Sequence, residues 1–160
     1  MKILILSLLF IISSGCATYN DYHNPQELNE AELAEVHAED TGIWVGGYEI
    51  RPILQEVFSE DGTVVAKGNF LIGHLKKVVL SSGKYQFLSR CETRGVYNHH
   101  RINIELERGE KYTAYCLGQY TEPRFFNRIK GMLGFISKNS NMDEDKKKNQ
   151  DLVNNMDVSK

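Results

Sequence analysis

The sequence predicts an all-β fold, an Ig-like sandwich of about seven short strands over residues 42–120. Three observations carry that expectation. Short apolar segments recur between clusters of Gly, Ser, Asp and Pro. The best of them alternate strictly: Tyr85, Phe87, Ser89 and Cys91 share one face, and Gln86, Leu88 and Arg90 the other. Finally, two cysteines, Cys91 and Cys116, fall on the apolar faces of two such segments.

The chain opens with Lys2 and the apolar run Ile3–Ile12, followed by Ser13-Ser14-Gly15 and Cys16. A basic start, a short apolar core and small residues at the cut describe an export signal over residues 1–15. The run is too short to span about 30 Å of hydrocarbon. Ser14-Gly15-Cys16 resembles the lipobox of bacterial lipoproteins, with Ser13 standing where that pattern has a large aliphatic residue. The resemblance implies diacylglycerol on the Cys16 thiol, cleavage before it, and a lipid bilayer as the first partner. Ala17, rather than Asp, after the cysteine implies sorting to the outer membrane, on its periplasmic face.

Residues 16–41 read as the lipidated N-terminus and an acidic tether. From residue 17 this stretch holds seven acids and no Lys or Arg, while residues 42–121 carry a net +2 and residues 122–138 a net +3. Asn24-Pro25-Gln26-Glu27 has the form of a helix start, so a short acidic helix or stalk is expected there. No broad basic stripe marks the chain as a nucleic-acid binder.

Within the β region, Gly42-Ile43-Trp44-Val45 leads in, Gly46-Gly47 suggests a bulge, and Pro52 belongs at an edge or strand boundary. Ser59-Glu60-Asp61-Gly62 is a hairpin turn between Ile53–Phe58 and Thr63–Ala66. Lys76–Leu80 runs into Ser81-Ser82-Gly83. Ile102, Ile104 and Leu106 alternate with Asn103, Glu105 and Glu107, and after Arg108-Gly109-Glu110 come Tyr112, Ala114 and Cys116.

With Cys16 acylated, Cys91 and Cys116 remain as an even pair in an oxidising compartment, which reads as one disulfide. Such a loop closure contributes roughly 3.5 kcal/mol in the chain-entropy model. In a simple three-strand meander the outer strands lie about 9.6 Å apart. A disulfide needs Cα atoms within about 6.8 Å. The two strands are therefore expected either to pair directly or to face each other across a core; a bridge between sheets fits best, with Trp44 as a packing partner.

Residues 121–137 gather Phe125, Phe126, Ile129, Met132, Leu133 and Ile136 at helical spacing. The expectation is an amphipathic helix that covers an open side of the sandwich, or lies on anionic lipid. Residues 138–160 are polar and mixed in charge, and read as a disordered tail.

The turn chemistry around Asp61-Gly62, the run Val79-Leu80-Ser81-Ser82-Gly83-Lys84-Tyr85 and Arg108-Gly109-Glu110-Lys111-Tyr112 resemble the PEGA-like β-sandwich modules of bacterial envelope lipoproteins. Those modules more often have Pro-Gly where this chain has Ser82-Gly83. The resemblance implies a tethered, non-enzymatic module that binds or supports an envelope protein or glycan, with no cofactor.

The alternative to a purely structural role is a glycan- or metal-binding site centred on the loop from Arg94 to Arg101, with Tyr97, His99 and His100. Imidazoles suit zinc or copper, but adjacent residues on a strand face opposite ways, so no metal site is expected unless the pair lies in a turn. Tyr97, Tyr115 and Tyr120 could stack on sugar rings. A thiol nucleophile at Cys91 with a histidine base, and so a hydrolase, ranks last: no flanking family signature accompanies it. Glu105 and Glu107, beside Arg101 and Lys111, read as solvated cross-strand ion pairs.

Overall fold

The computed structural model describes residues 22–23, 28–39, 43–45, 48–68, 74–120 and 129–156. Alternation at period 2 produces two sheets that bury their facing sides. The first runs in the order β1 (Tyr22–His23), β6 (Lys77–Leu80), β2 (Ala34–Ala38), β9 (Lys111–Tyr120), β10 (Ile129–Lys138). The second runs β3 (Ile43–Val45), β4 (Tyr48–Ser59), β7 (Gly83–Thr93), β8 (Val96–Leu106), with β5 (Val64–Lys67) also on β4. Among the described residues the fold is broadly all-β, with one α-helix, α1 (Met142–Asn154), toward the C-terminal end. Seven described strands, β3 to β9, fall within residues 42–120 as expected, with β1, β2 and β10 outside that range, and β4, β7 and β8 are long rather than short.

The core lies between the sheets. Ala34, Val36, Val78, Leu80, Tyr112 and Ala114 from one meet Leu54, Val57, Phe87 and Leu106 from the other. The expected alternation on β7 holds: Tyr85, Phe87, Ser89 and Cys91 are all buried. After β8 the chain turns at Arg108-Gly109 and crosses to the other sheet, so β9 does not pair with β8. That crossing brings Cys91 and Cys116 together in a disulfide with a Cα–Cα distance of 5.8 Å. Ile50 and Met132 pack around it. The side chain of Trp44 and the Gly46-Gly47 pair lie outside the described residues. The strands flanking Gly46-Gly47 pair antiparallel, Val45 opposite Tyr48.

The Asp61 turn is a hairpin as expected. Gly62 has φ +84°, and the Asp61 carboxylate accepts from Ser59 Oγ at 2.6 Å and from the Thr63 N–H at 3.0 Å. These bonds, Ser59 first, hold the Asp61 carboxyl below its ordinary value. Pro52, by contrast, sits inside β4 opposite Cys91. It is tolerated because its ring nitrogen faces away from β7, between the stretches of β4 that pair with β3 and β5.

Three further expectations are corrected. The 16–41 tether contains β2, which pairs with β6 on one side and β9 on the other. Ala34 and Val36 point into the core while Glu35 and His37 point out, and three of the acids are held in ion pairs. Glu35 meets Lys77 at 2.6 Å and Glu39 meets Lys146 at 2.7 Å, and Glu32 pairs with Arg108. Burial alone would raise the Glu35 carboxyl, but its bonds to Lys77 and His37 outweigh that and lower it. The Asn24–Glu27 helix start lies outside the described residues; the one turn of helix near it, Glu30–Glu32, is 3-10, with the Glu32 carboxylate accepting from the Asn29 N–H at 3.3 Å.

The amphipathic helix of residues 121–137 is not formed over its described part: Ile129–Lys138 is strand β10, antiparallel to β9. The apolar run has no period of 2 because both faces are covered. Met132 and Ile136 face the core, whereas Leu133 and Phe135 pack with Tyr115, Leu117 and Val153. The cover on that second face is α1, where a disordered tail is expected. Val153 is fully buried, Asn149 Nδ2 donates to Tyr115 Oη at 2.8 Å, and Lys146 lies 5.3 Å from the Tyr115 ring centroid. Asp143, Glu144 and Asp145 in its first turn complement the helix dipole.

Candidate functional site

The face of the second sheet turned away from the core is open. Arg94 and Gly95 both have positive φ, 38° and 82°, and close a two-residue hairpin of the primed type. The register that follows sets Glu92 opposite Tyr97, Arg90 opposite His99, Leu88 opposite Arg101 and Gln86 opposite Asn103. All of these point outward. The segment from Arg94 to Arg101 is therefore a tight turn and a strand, not a loop.

Near the Asp61 turn this face holds a groove of about 600 Å³, lined by Phe58, Lys84, Gln86, Arg101, Asn103 and Glu105 among others. Its polar groups are tied to one another. Arg101 Nη1 donates to Gln86 Oε1 at 2.5 Å, and Gln86 Nε2 donates to Asn103 Oδ1 at 2.9 Å. The Arg101 guanidinium also lies 5.6 Å from the Phe58 ring centroid. Three strands contribute: Phe58 comes from β4, Gln86 from β7, Arg101 and Asn103 from β8. The result is an aromatic face beside a fixed row of amide and guanidinium groups, which suits a flat or hydroxyl-bearing ligand held by contact and hydrogen bonds.

Toward the other end, Tyr97 is 59% exposed and packs edge-on against His99, with ring centroids 5.5 Å apart. Arg90 lies 5.7 Å from the Tyr97 centroid and pairs with Glu92 at 2.8 Å. Nearby on β4, the Glu49 carboxylate meets Arg51 at 2.5 Å and raises the guanidinium above its ordinary value.

His100 does not join them. It points inward, and its Nε2 is buried with no hydrogen-bond partner among the described residues. Burial lowers its pKa below the ordinary imidazole value, partly offset by a bond to the Met132 backbone and reinforced by His99. Its neighbours are the disulfide and β10. A Cβ at Gly134 would lie 3.5 Å from the His100 ring and 3.4 Å from Cys91 Sγ. The two adjacent imidazoles thus face opposite sides of one strand, which removes the turn geometry a shared metal requires. Two more candidates change character. Tyr115 is buried under α1 and offers no stacking surface, and Cys91 is bonded to Cys116, which leaves no thiol there for nucleophilic chemistry. Glu107 pairs with Lys138 at 3.1 Å rather than with Lys111. Cys16 lies outside the described residues, as does the side chain of Tyr120.

Of the groove residues only Arg101 falls within the 94–101 segment singled out from the sequence; Phe58, Lys84, Gln86, Asn103 and Glu105 are missed. The available signal is an aromatic residue, Phe58, at an outward position of an otherwise alternating strand. Comparison of the chain with protein-family models, with curated proteins and with solved structures finds no match.

Proposed function

We propose that this chain is a bacterial envelope lipoprotein, acylated at Cys16 and sorted to the periplasmic face of the outer membrane, whose sandwich is a non-enzymatic binding module. In this reading the sandwich is a variant of the Ig-like or PEGA-like module, widened by β2 and capped by α1. The observation that carries the binding role is the groove: Phe58 and the Arg101–Gln86–Asn103 row hold one another in place through their own contacts. Such preorganisation lowers the ordering cost of association. The ligand is a glycan or a segment of an envelope protein, since either offers hydroxyls or amides to that row.

The test has two arms. Cys16→Ser should move the protein from the membrane to the soluble fraction or stall its processing. The full chain, recovered from membranes in mild detergent, should bring a partner with it, and Phe58→Ala or Arg101→Ala should lose that partner while the protein stays folded. A Cys16→Ser protein that remains processed and membrane-bound defeats the anchor. A chain that elutes alone, and that binds no fragment of envelope glycan in titration calorimetry, defeats the binding module.

A further inference from the structure

β8 is the last strand of its sheet, and no described strand pairs with its outer side. The two-residue hairpin turns the even-numbered residues of β8 toward β7, so the N–H and C=O groups of Tyr97, His99, Arg101, Asn103 and Glu105 point out from the edge. An edge of this length is a template for another strand. The side chains of the same five residues are exposed, and their charge is ordered along the strand: Arg101 comes first and Glu105 follows.

We propose that β8 pairs antiparallel with β8 of a second copy of this chain, about a two-fold axis through Asn103. Antiparallel pairing about Asn103 sets Arg101 opposite Glu105 twice. Shifting the axis to Ile102 leaves Arg101 opposite Asn103, and shifting it to Arg101 sets that residue against itself. An axis at Ile104 would set Arg101 against Glu107, which lies past the end of β8 and is already paired with Lys138, so charge complementarity favours the Asn103 register. The inner side agrees. Ile102 and Ile104, half-buried beside the core, would meet each other across the axis and extend the apolar row. The contact is isologous and closes on itself, which makes a dimer and not a fibre. Arg101, Asn103 and Glu105 also line the groove. Each groove is thus bordered by the other copy, and the two lie side by side on one continuous sheet. This inference does not depend on what the groove binds.

The test is made on the full chain in mild detergent by sedimentation equilibrium. Arg101→Glu and Glu105→Arg each convert two attractive pairs into repulsive ones and should weaken the dimer roughly tenfold to a hundredfold. The double variant R101E/E105R should restore it to near the wild-type constant. Asn103→Cys places two thiols across the axis at a Cα separation of about 5.5 Å, within disulfide range, and should give a covalent dimer on oxidation. Thr63→Cys, exposed on a turn of the same sheet, should give none. A chain that stays monomeric to about 100 μM (roughly 5.5 kcal/mol of association free energy) overturns the proposal. So does a dimer that ignores the charge swap, or a monomer whose β8 edge amides are protected from exchange by another part of its own chain.

Discussion

Removing the disulfide is the sharpest test of how the two sheets are held. Cys91 and Cys116 are 25 residues apart in sequence, and neither is exposed. Closing a loop of that length restricts the denatured chain by an entropy worth about 3.5 kcal/mol at 25 °C. For a domain whose total stability is of the order of 5–15 kcal/mol, this is a large share. With a urea m-value of about 1.5 kcal/mol per molar, reduction should lower the unfolding midpoint by about 2 M and raise the m-value as the denatured ensemble expands. Reduction removes only the link. The double variant C91A/C116A also leaves a small void among Ile50, Met132 and His100, and should fall somewhat further. Both should be measured by circular dichroism in urea, with thiol titration of the native oxidised protein as a control. A midpoint shift below about 0.5 M, or two reactive thiols in the native protein, would refute the inference that this bond clamps β7 to β9.

Three other outcomes follow from single residues. Gly109 has φ +72°, and a Cβ there would lie 3.0 Å from the Ala31 carbonyl oxygen, so Gly109→Ala should lower stability by roughly 1–3 kcal/mol and expose the Asn29–Leu33 segment to proteolysis; unchanged melting would argue that this segment does not dock. Val153→Ala removes two buried methyl groups and should cost about 1.5 kcal/mol, with faster amide exchange confined to α1 and the outer face of β9 and β10; an exchange pattern like the wild type's would mean α1 is not packed there. His100 binds its proton less tightly in the folded protein than in the unfolded chain, because burial opposes the charge. Its contribution to stability is complete above the ordinary imidazole value of about 6.5 and is lost as pH falls below it. The urea midpoint should therefore drop between pH 7.5 and 5.5 in the wild type and stay level in His100→Leu, whereas Glu35 and Asp61, both lowered, act only further into acid. Equal slopes in the two proteins would exclude His100 as the cause.

The parts of the fold legible in the sequence are those where one face of a strand is buried and the other wet. β7 shows this best: every second residue from Tyr85 to Cys91 is buried, and periodicity alone places them. The inter-sheet disulfide was legible for a different reason, since the width of a strand ladder and the reach of a disulfide exclude a plain meander. β10 was not legible because a strand buried on both faces has no alternation to detect. Its apolar residues, read without knowledge of α1, fit a helical stripe as well as a strand. Gly131 and Gly134, poor helix formers in the middle of that stripe, were the evidence against it. α1 hid in turn because most of what it sets against the sheet is polar: the Lys146 stem, Asn149 and Gln150 carry much of the contact that apolar side chains usually make. β2 is legible in the sequence: Ala34-Glu35-Val36-His37-Ala38 alternates cleanly, within a run of acids whose composition reads as a solvated stretch.

The site is harder to read for a reason that is general to sheets. Periodicity reports which residues are buried, and outward residues are identified only as the remainder. His99 and His100 illustrate the limit: as neighbours in sequence they look like one site, but a strand sends one to solvent and the other against a disulfide. Conversely, Phe58 and Arg101 are far apart along the chain, and nothing local links them. They meet because the Asp61 turn ends β4 beside the middle of β8, with β7 between as a spacer that supplies Gln86. A groove built across three strands is a property of register, and that register is set by the Arg94-Gly95 turn, whose two residues both have positive φ. That same turn decides which amides of β8 reach the sheet edge. The groove and the self-complementary edge are therefore consequences of one hairpin, and a variant that lengthens it by one residue should disrupt both together.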